Sequence, residues 1–126
     1  MFKINKEDKT IHVTRGDVAF FAVRVNHEET GEAYVFASGD IICFKVFGKK
    51  DCENVVLERR FDAIAGRDKC EIVLTKEDTS IGDVISKPVD YWYEVTLNPD
   101  TEPQTVIGYD DDGPKIFRLF PEGAEA

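Results

Sequence analysis

Val89-Asp90-Tyr91-Trp92-Tyr93-Glu94-Val95-Thr96-Leu97 carries the period that decides the fold. Val89, Tyr91, Tyr93, Val95 and Leu97 fall on one side of this segment and Trp92, Glu94 and Thr96 on the other, because successive side chains of a strand point to opposite faces. Pro88 precedes it, and Asn98-Pro99-Asp100-Thr101-Glu102-Pro103 follows with residues that preset or tolerate bent backbone. The segment predicts a strand with one core face.

The same period recurs outward along the chain. Cys70, Ile72 and Leu74 alternate with Glu71, Val73 and Thr75, and Ile42, Phe44 and Val46 share a face within Ile41 to Phe47. Val55, Leu57, Arg59 and Phe61 alternate with Val56, Glu58 and Arg60. Ile11 and Val13 alternate with His12 and Thr14, and Arg15-Gly16-Asp17 then breaks the run. From Val18 the chain is apolar on both faces at its start, with Ala19, Phe21, Val23 and Val25 on one and Val18, Phe20, Ala22 and Arg24 on the other, which predicts a central strand covered on each side near that end. Gln104 to Gly108 and Lys115 to Phe120 read as a final hairpin around Asp110-Asp111-Asp112-Gly113-Pro114. Thr75-Lys76-Glu77-Asp78 has the form of a capping box and predicts one helical turn over roughly residues 76 to 80. Val and Ile number 23 against 4 Leu, and β-branched side chains suit a pleated surface better than a helix. The expectation is an all-β, antiparallel sandwich of seven to eight strands in a single domain over residues 1–126, with residues 1–8 and 121–126 frayed.

With 16 Lys plus Arg against 25 Asp plus Glu, the net charge of −9 repels polyanions. Nucleic acid and anionic membrane are therefore disfavoured as partners, since phosphate binding needs clustered basic side chains. The N-terminus alternates charged and apolar residues with no apolar run after it, so no signal peptide is expected. Cys43, Cys52 and Cys70 are odd in number and lack the C-x-x-C spacing, which predicts free thiols in place of a disulfide framework or zinc site.

Few features carry chemistry. Arg15-Gly16-Asp17 matches an integrin-binding tripeptide, but its place between two apolar runs is explained by a turn, with Asp17 bonded to nearby backbone N–H groups. Asp110-Asp111-Asp112, with Asp100 and Glu102, offers carboxylates for Ca²⁺ without the alternate spacing and downstream Glu of an EF-hand loop, and reads as a solvated tip. His12 and His27 lie in separate segments with no nucleophile motif near them. No catalytic residue, metal site or cofactor is expected. Tyr91, Trp92 and Tyr93 are the candidate interaction surface, either as sandwich core and protein interface or as aromatic rings on which sugars stack.

The order of Thr14-Arg15-Gly16-Asp17, Ser38-Gly39-Asp40-Ile41-Ile42-Cys43-Phe44-Lys45-Val46, Leu74-Thr75-Lys76-Glu77-Asp78-Thr79 and Tyr91-Trp92-Tyr93-Glu94-Val95 resembles the small Ig-like β-sandwich of structural proteins in tailed bacteriophages and prophages, including the N-terminal domain of the baseplate upper protein. The similarity runs over roughly residues 8 to 120. It implies a virion structural component, made in the bacterial host cytoplasm, that docks to other tail or baseplate proteins and self-associates without turning over a substrate. No long helical or receptor-binding extension follows the sandwich, so an adaptor role fits better than direct host attachment. The alternative expectation is a carbohydrate-binding or adhesive sandwich using the Tyr91-Trp92-Tyr93 strand. The expected core is Phe21, Val23, Phe44, Val46, Leu57, Ile72, Leu74, Tyr91, Tyr93 and Val95.

Overall fold

A computed structural model describes residues 1–27, 29–51, 53–110 and 113–122. In chain order these residues form β1 (Phe2–Ile4), β2 (Ile11–Thr14), β3 (Ala19–Val23), β4 (Ile41–Phe47), β5 (Val55–Asp62), β6 (Cys70–Leu74), α1 (Lys76–Thr79), β7 (Val89–Leu97), β8 (Gln104–Ile107) and β9 (Lys115–Phe120). One sheet has seven strands in the order β1-β2-β9-β7-β4-β5, with β8 also on β7, and the other holds only β3 and β6. The fold is an all-β sandwich. β9, β7, β4 and β5 form one layer, and β3 and β6 are the only strands of the facing layer among the described residues.

Pairing is antiparallel except between β2 and β9, where Ile11 to Thr14 run parallel to Phe117 to Phe120. Antiparallel pairing follows from short turns. β2 and β9 lie far apart in sequence, so no short connection dictates their direction. β8 and β9 do not form the expected hairpin. Both run antiparallel along the same edge of β7, Gln104 to Ile107 beside Leu97 to Val95 and Lys115 to Leu119 beside Tyr93 to Val89. They are two halves of one line interrupted between Ile107 and Lys115, because the long β7 offers nine residues to pair and neither half spans it.

The core is aromatic at its centre. Phe44 is fully buried, with ring centroids 5.6 Å from Tyr93, 6.0 Å from Phe21 and 6.2 Å from Phe117. Val23, Val46, Ile72, Leu74 and Val95 are buried around it as the period predicts. Phe21, Leu57 and Tyr91 are only half-buried, packed against the cluster from its margins, because the two-stranded layer is too narrow to cover the larger sheet. Ile11, Val13, Phe36, Phe117 and Leu119 complete the core.

Two expectations are corrected here. Residues 1–8 are not wholly frayed: β1 pairs with β2, and Phe2 stacks on Phe21 at 5.6 Å, so an apolar contact anchors this end. β3 is not a central strand covered on both sides. It pairs only with β6 among the described residues, and Val18 and Phe20 are 61% and 57% exposed. A strand apolar on both faces is a core strand only if a second layer lies behind it, and none does here.

The helical turn forms as its box predicts. Thr75 Oγ1 accepts from Asp78 N at 3.3 Å, and Asp78 Oδ2 accepts from Thr75 N at 2.9 Å. Asp78 also pairs with Arg59, whose guanidinium lies 5.5 Å from the Phe61 ring centroid, tying the turn to β5. No helix among the described residues is long and apolar enough to cross a membrane.

Candidate interaction surfaces

Period-two geometry divides the Tyr91-Trp92-Tyr93 strand between the two faces of its sheet. Tyr93 is buried against Phe44, its hydroxyl donates to Lys9 O, and burial raises its pKa. Tyr91 is half-buried on the same inner side. Trp92 alone points to the outer face, opposite Phe47 on one side and Ile116 on the other, and is half-buried there. The three rings are therefore not one platform.

The largest departure from ordinary burial lies on the smaller sheet. In β3 and β6 alternate residues are buried, Ala19 and Val23 facing Leu74 and Cys70 across the ladder. The other face carries Phe20 opposite Val73 and Ala22 opposite Glu71, all exposed, with Val18 beside them. In a seven-stranded immunoglobulin sandwich the first strand flanks the second in this layer. Here β2, the strand before β3, is taken up by β9 in the other sheet, so the far edge of β3 has no strand beside it among the described residues. An edge without a neighbour presents backbone N–H and C=O groups that another chain can pair with. Val55 and Val56 open β5, another exposed apolar edge segment, but that strand continues with Glu58, Arg59, Arg60 and Asp62, and edge charges of this kind discourage pairing.

Arg15-Gly16-Asp17 is structural. Arg15 donates to the carbonyls of Gly82 at 2.6 Å, Ile81 at 3.3 Å and Ser80 at 3.4 Å, and to Glu122 Oε1 at 2.8 Å. Gly16 turns with φ of +87°, a conformation that strains any residue with a Cβ, and its N–H donates to Thr79 Oγ1. The Asp17 carboxylate pairs with the amino group of Met1, while its carbonyl accepts from Thr79 Oγ1 at 2.7 Å. The expectation that its carboxylate bonds to neighbouring backbone is thus replaced by these longer-range partners.

The reactive residue types lie apart. Cys43 and Cys70 are free and buried, and burial pushes both thiols up, away from the thiolate that reacts. Cys52 lies outside the described residues. His12, on β2, packs against Phe120 at 5.8 Å and has Nδ1 buried without a hydrogen-bond partner. Burial, then Lys3 and Arg118, lower its pKa. Through the ladders His12 is level with Asp90 and Cys43 with Thr96, so three strand spacings across and six residues along β7 separate them, about 24 Å in all. His27 lies in the β3–β4 loop, edge-on to Tyr34 at 5.7 Å. Of the acidic triplet, Asp110 pairs with the buried Lys115 at 2.7 Å, and Asp111 and Asp112 lie outside the described residues. Asp100 pairs with Arg60. Among the described residues no three His, Cys, Asp or Glu side chains gather where they could hold a metal ion.

Comparison with protein-family models, with curated proteins and with solved structures returns no match for this chain.

Proposed function

We propose that this chain is a non-enzymatic docking module of a tailed-bacteriophage or prophage virion, made in the host cytoplasm and joined to a tail or baseplate protein through β3 and the outer face of β3 and β6. The observation that carries this reading is the apolar row of Val18, Phe20 and Val73 beside an edge that no strand covers among the described residues. A partner strand laid along β3 would satisfy the free backbone groups and bury that row in one step. The phage assignment rests on the order of the short motifs from Thr14-Arg15-Gly16-Asp17 to Tyr91-Trp92-Tyr93-Glu94-Val95. The net charge of −9 disfavours a second copy as occupant and favours a neighbour of opposite charge.

Purified tail and baseplate proteins encoded in the same genome provide the test, by size-exclusion chromatography with light scattering. The expected result is a monomer alone and a stoichiometric complex with one of them. A chain that binds none of them contradicts the reading, and a stable homodimer through β3 overturns the choice of occupant.

A further inference from the structure

At one end of the sandwich the β3–β4 loop and the β7–β8 turn face each other across an open cleft of about 660 Å³, within the range of small-molecule sites. Arg24, His27 and Tyr34 line one wall, and Asn98, Glu102 and Gln104 the other. The cleft lies at the far end of the strand that carries Tyr91-Trp92-Tyr93, lined by Leu97 but by none of those three rings, and shares no residue with the outer face of β3 and β6 apart from the chain leaving β3 at Arg24.

One polar network ties its two walls together through Tyr34 and Asn98. Asp40, 8% exposed, accepts from the Tyr34 hydroxyl at 2.7 Å, from Ala37 N at 2.8 Å and from Asn98 Nδ2 at 2.9 Å. Asn98 Oδ1 in turn accepts from Ile41 N at 2.9 Å, and its backbone N–H donates to Ile41 O at 2.8 Å. Asn98 holds φ of +51°, in the left-handed region that asparagine tolerates. One buried carboxylate thus locks a residue of each wall, so the cleft is shaped before any ligand arrives.

On those walls Arg24, His27, Glu102 and Gln104 make no side-chain hydrogen bond within the described residues, and all four are exposed. One cation and one anion give the lining no net charge. A phosphorylated or strongly anionic ligand would need several basic groups, and a cationic one an excess of carboxylates. What remains is a guanidinium that donates, a carboxylate that accepts, and amide and imidazole groups that do both, with Val25, Leu97 and Val106 giving apolar wall between them. A ligand that matches this has hydroxyls that donate and accept around a ring with apolar C–H faces. We infer that the cleft between the β3–β4 loop and the β7–β8 turn binds a neutral saccharide, with Arg24, Glu102 and Gln104 bonding its hydroxyls between walls held by the Tyr34-Asp40-Asn98 network.

The test is a titration of the isotope-labelled chain followed by amide chemical shifts, with maltose, cellobiose and N,N′-diacetylchitobiose as separate probes and the dipeptide Lys-Asp as a zwitterionic control. The expected result is saturable shifts from at least one sugar, confined to residues 24–27, 34, 98 and 102–106, with affinity falling about tenfold or more in Arg24→Ala and in Gln104→Ala. Both residues are exposed, so the variants keep the fold, and unchanged dispersion elsewhere in the spectrum verifies it. The inference is overturned if no sugar shifts these amides at millimolar concentration, if the shifts map to Trp92 and its neighbours, if both variants bind as tightly as the parent, or if only the dipeptide binds.

Discussion

Phe20 of β3 stands directly across the ladder from Val73 of β6, and both side chains point away from the core. Such a pair contributes cross-strand contact but little burial in the free chain. Phe20→Lys should therefore change the stability of the isolated protein by no more than about 0.5 kcal/mol. Urea unfolding checks this, and a loss of several kcal/mol would mean that the face is covered by the chain itself.

Phe44 lies at the other extreme. It is fully buried and touches the rings of Phe21, Tyr93 and Phe117 from three directions. Phe44→Ala should cost about 3 to 5 kcal/mol, the lost transfer energy plus a cavity that rigid neighbouring strands do not close. The thermal midpoint should fall by more than ten degrees for a domain of this size. A melt unmoved by the substitution would contradict the core.

Arg15 holds the segment after α1 through three carbonyls that a guanidinium fork reaches together. Arg15→Ala should cost about 1.5 to 3 kcal/mol, because two or more buried-side acceptors lose a charged donor. Arg15→Lys should recover less than half of that, since an ammonium on a flexible stem cannot span the same acceptors. Paired denaturation curves distinguish this structural role from one in cell adhesion, which would leave stability untouched.

Asp40 makes the fold sensitive to acid. Hydrogen bonds from Asn98 and then Tyr34 hold its carboxyl below the ordinary carboxylate value of 3.8. A folded-state value lower than the unfolded one stabilises the protein above the unfolded value, and that stabilisation is lost as pH falls through the folded one. Stability should thus drop below about pH 4, and Asp40→Asn should flatten this limb while lowering stability at neutral pH. His12, also lowered, adds a separate loss as pH falls below its ordinary value of 6.5, where charging it beside Lys3 and Arg118 opposes folding. Urea midpoints measured across both windows, for the parent, Asp40→Asn and His12→Gln, separate the two contributions.

The strands with one polar face were legible in the sequence because burial imposes a period of two; β6 follows it residue by residue, and β7 keeps its buried residues on the expected face apart from Thr96. The Thr75 box was legible because capping is local chemistry. What the period does not encode is whether anything lies behind a strand. Val18 and Phe20 looked like core for that reason, and only the absence of a strand beyond β3 among the described residues shows them to be surface. Phe36 was missed because it sits in an irregular segment, where Phe36 N–H donates to Arg67 O and its carbonyl accepts from Gly66 N, so alternation gave no strand to assign it to. The Asp40-Asn98 network was hidden because its members lie 58 residues apart. Neither end of it marks the other.

Amide hydrogen exchange across β3, in the free chain and in a complex with the tail or baseplate protein proposed to bind it, tests the docking account most directly. The account predicts strong added protection at Ala19 to Val23, little change at the charged edge of β5, and loss of both complex and protection in the Phe20→Lys, Val73→Lys double variant while its melt stays near the parent's. A complex that forms with β3 exchange unchanged, or that survives the double variant, would contradict it.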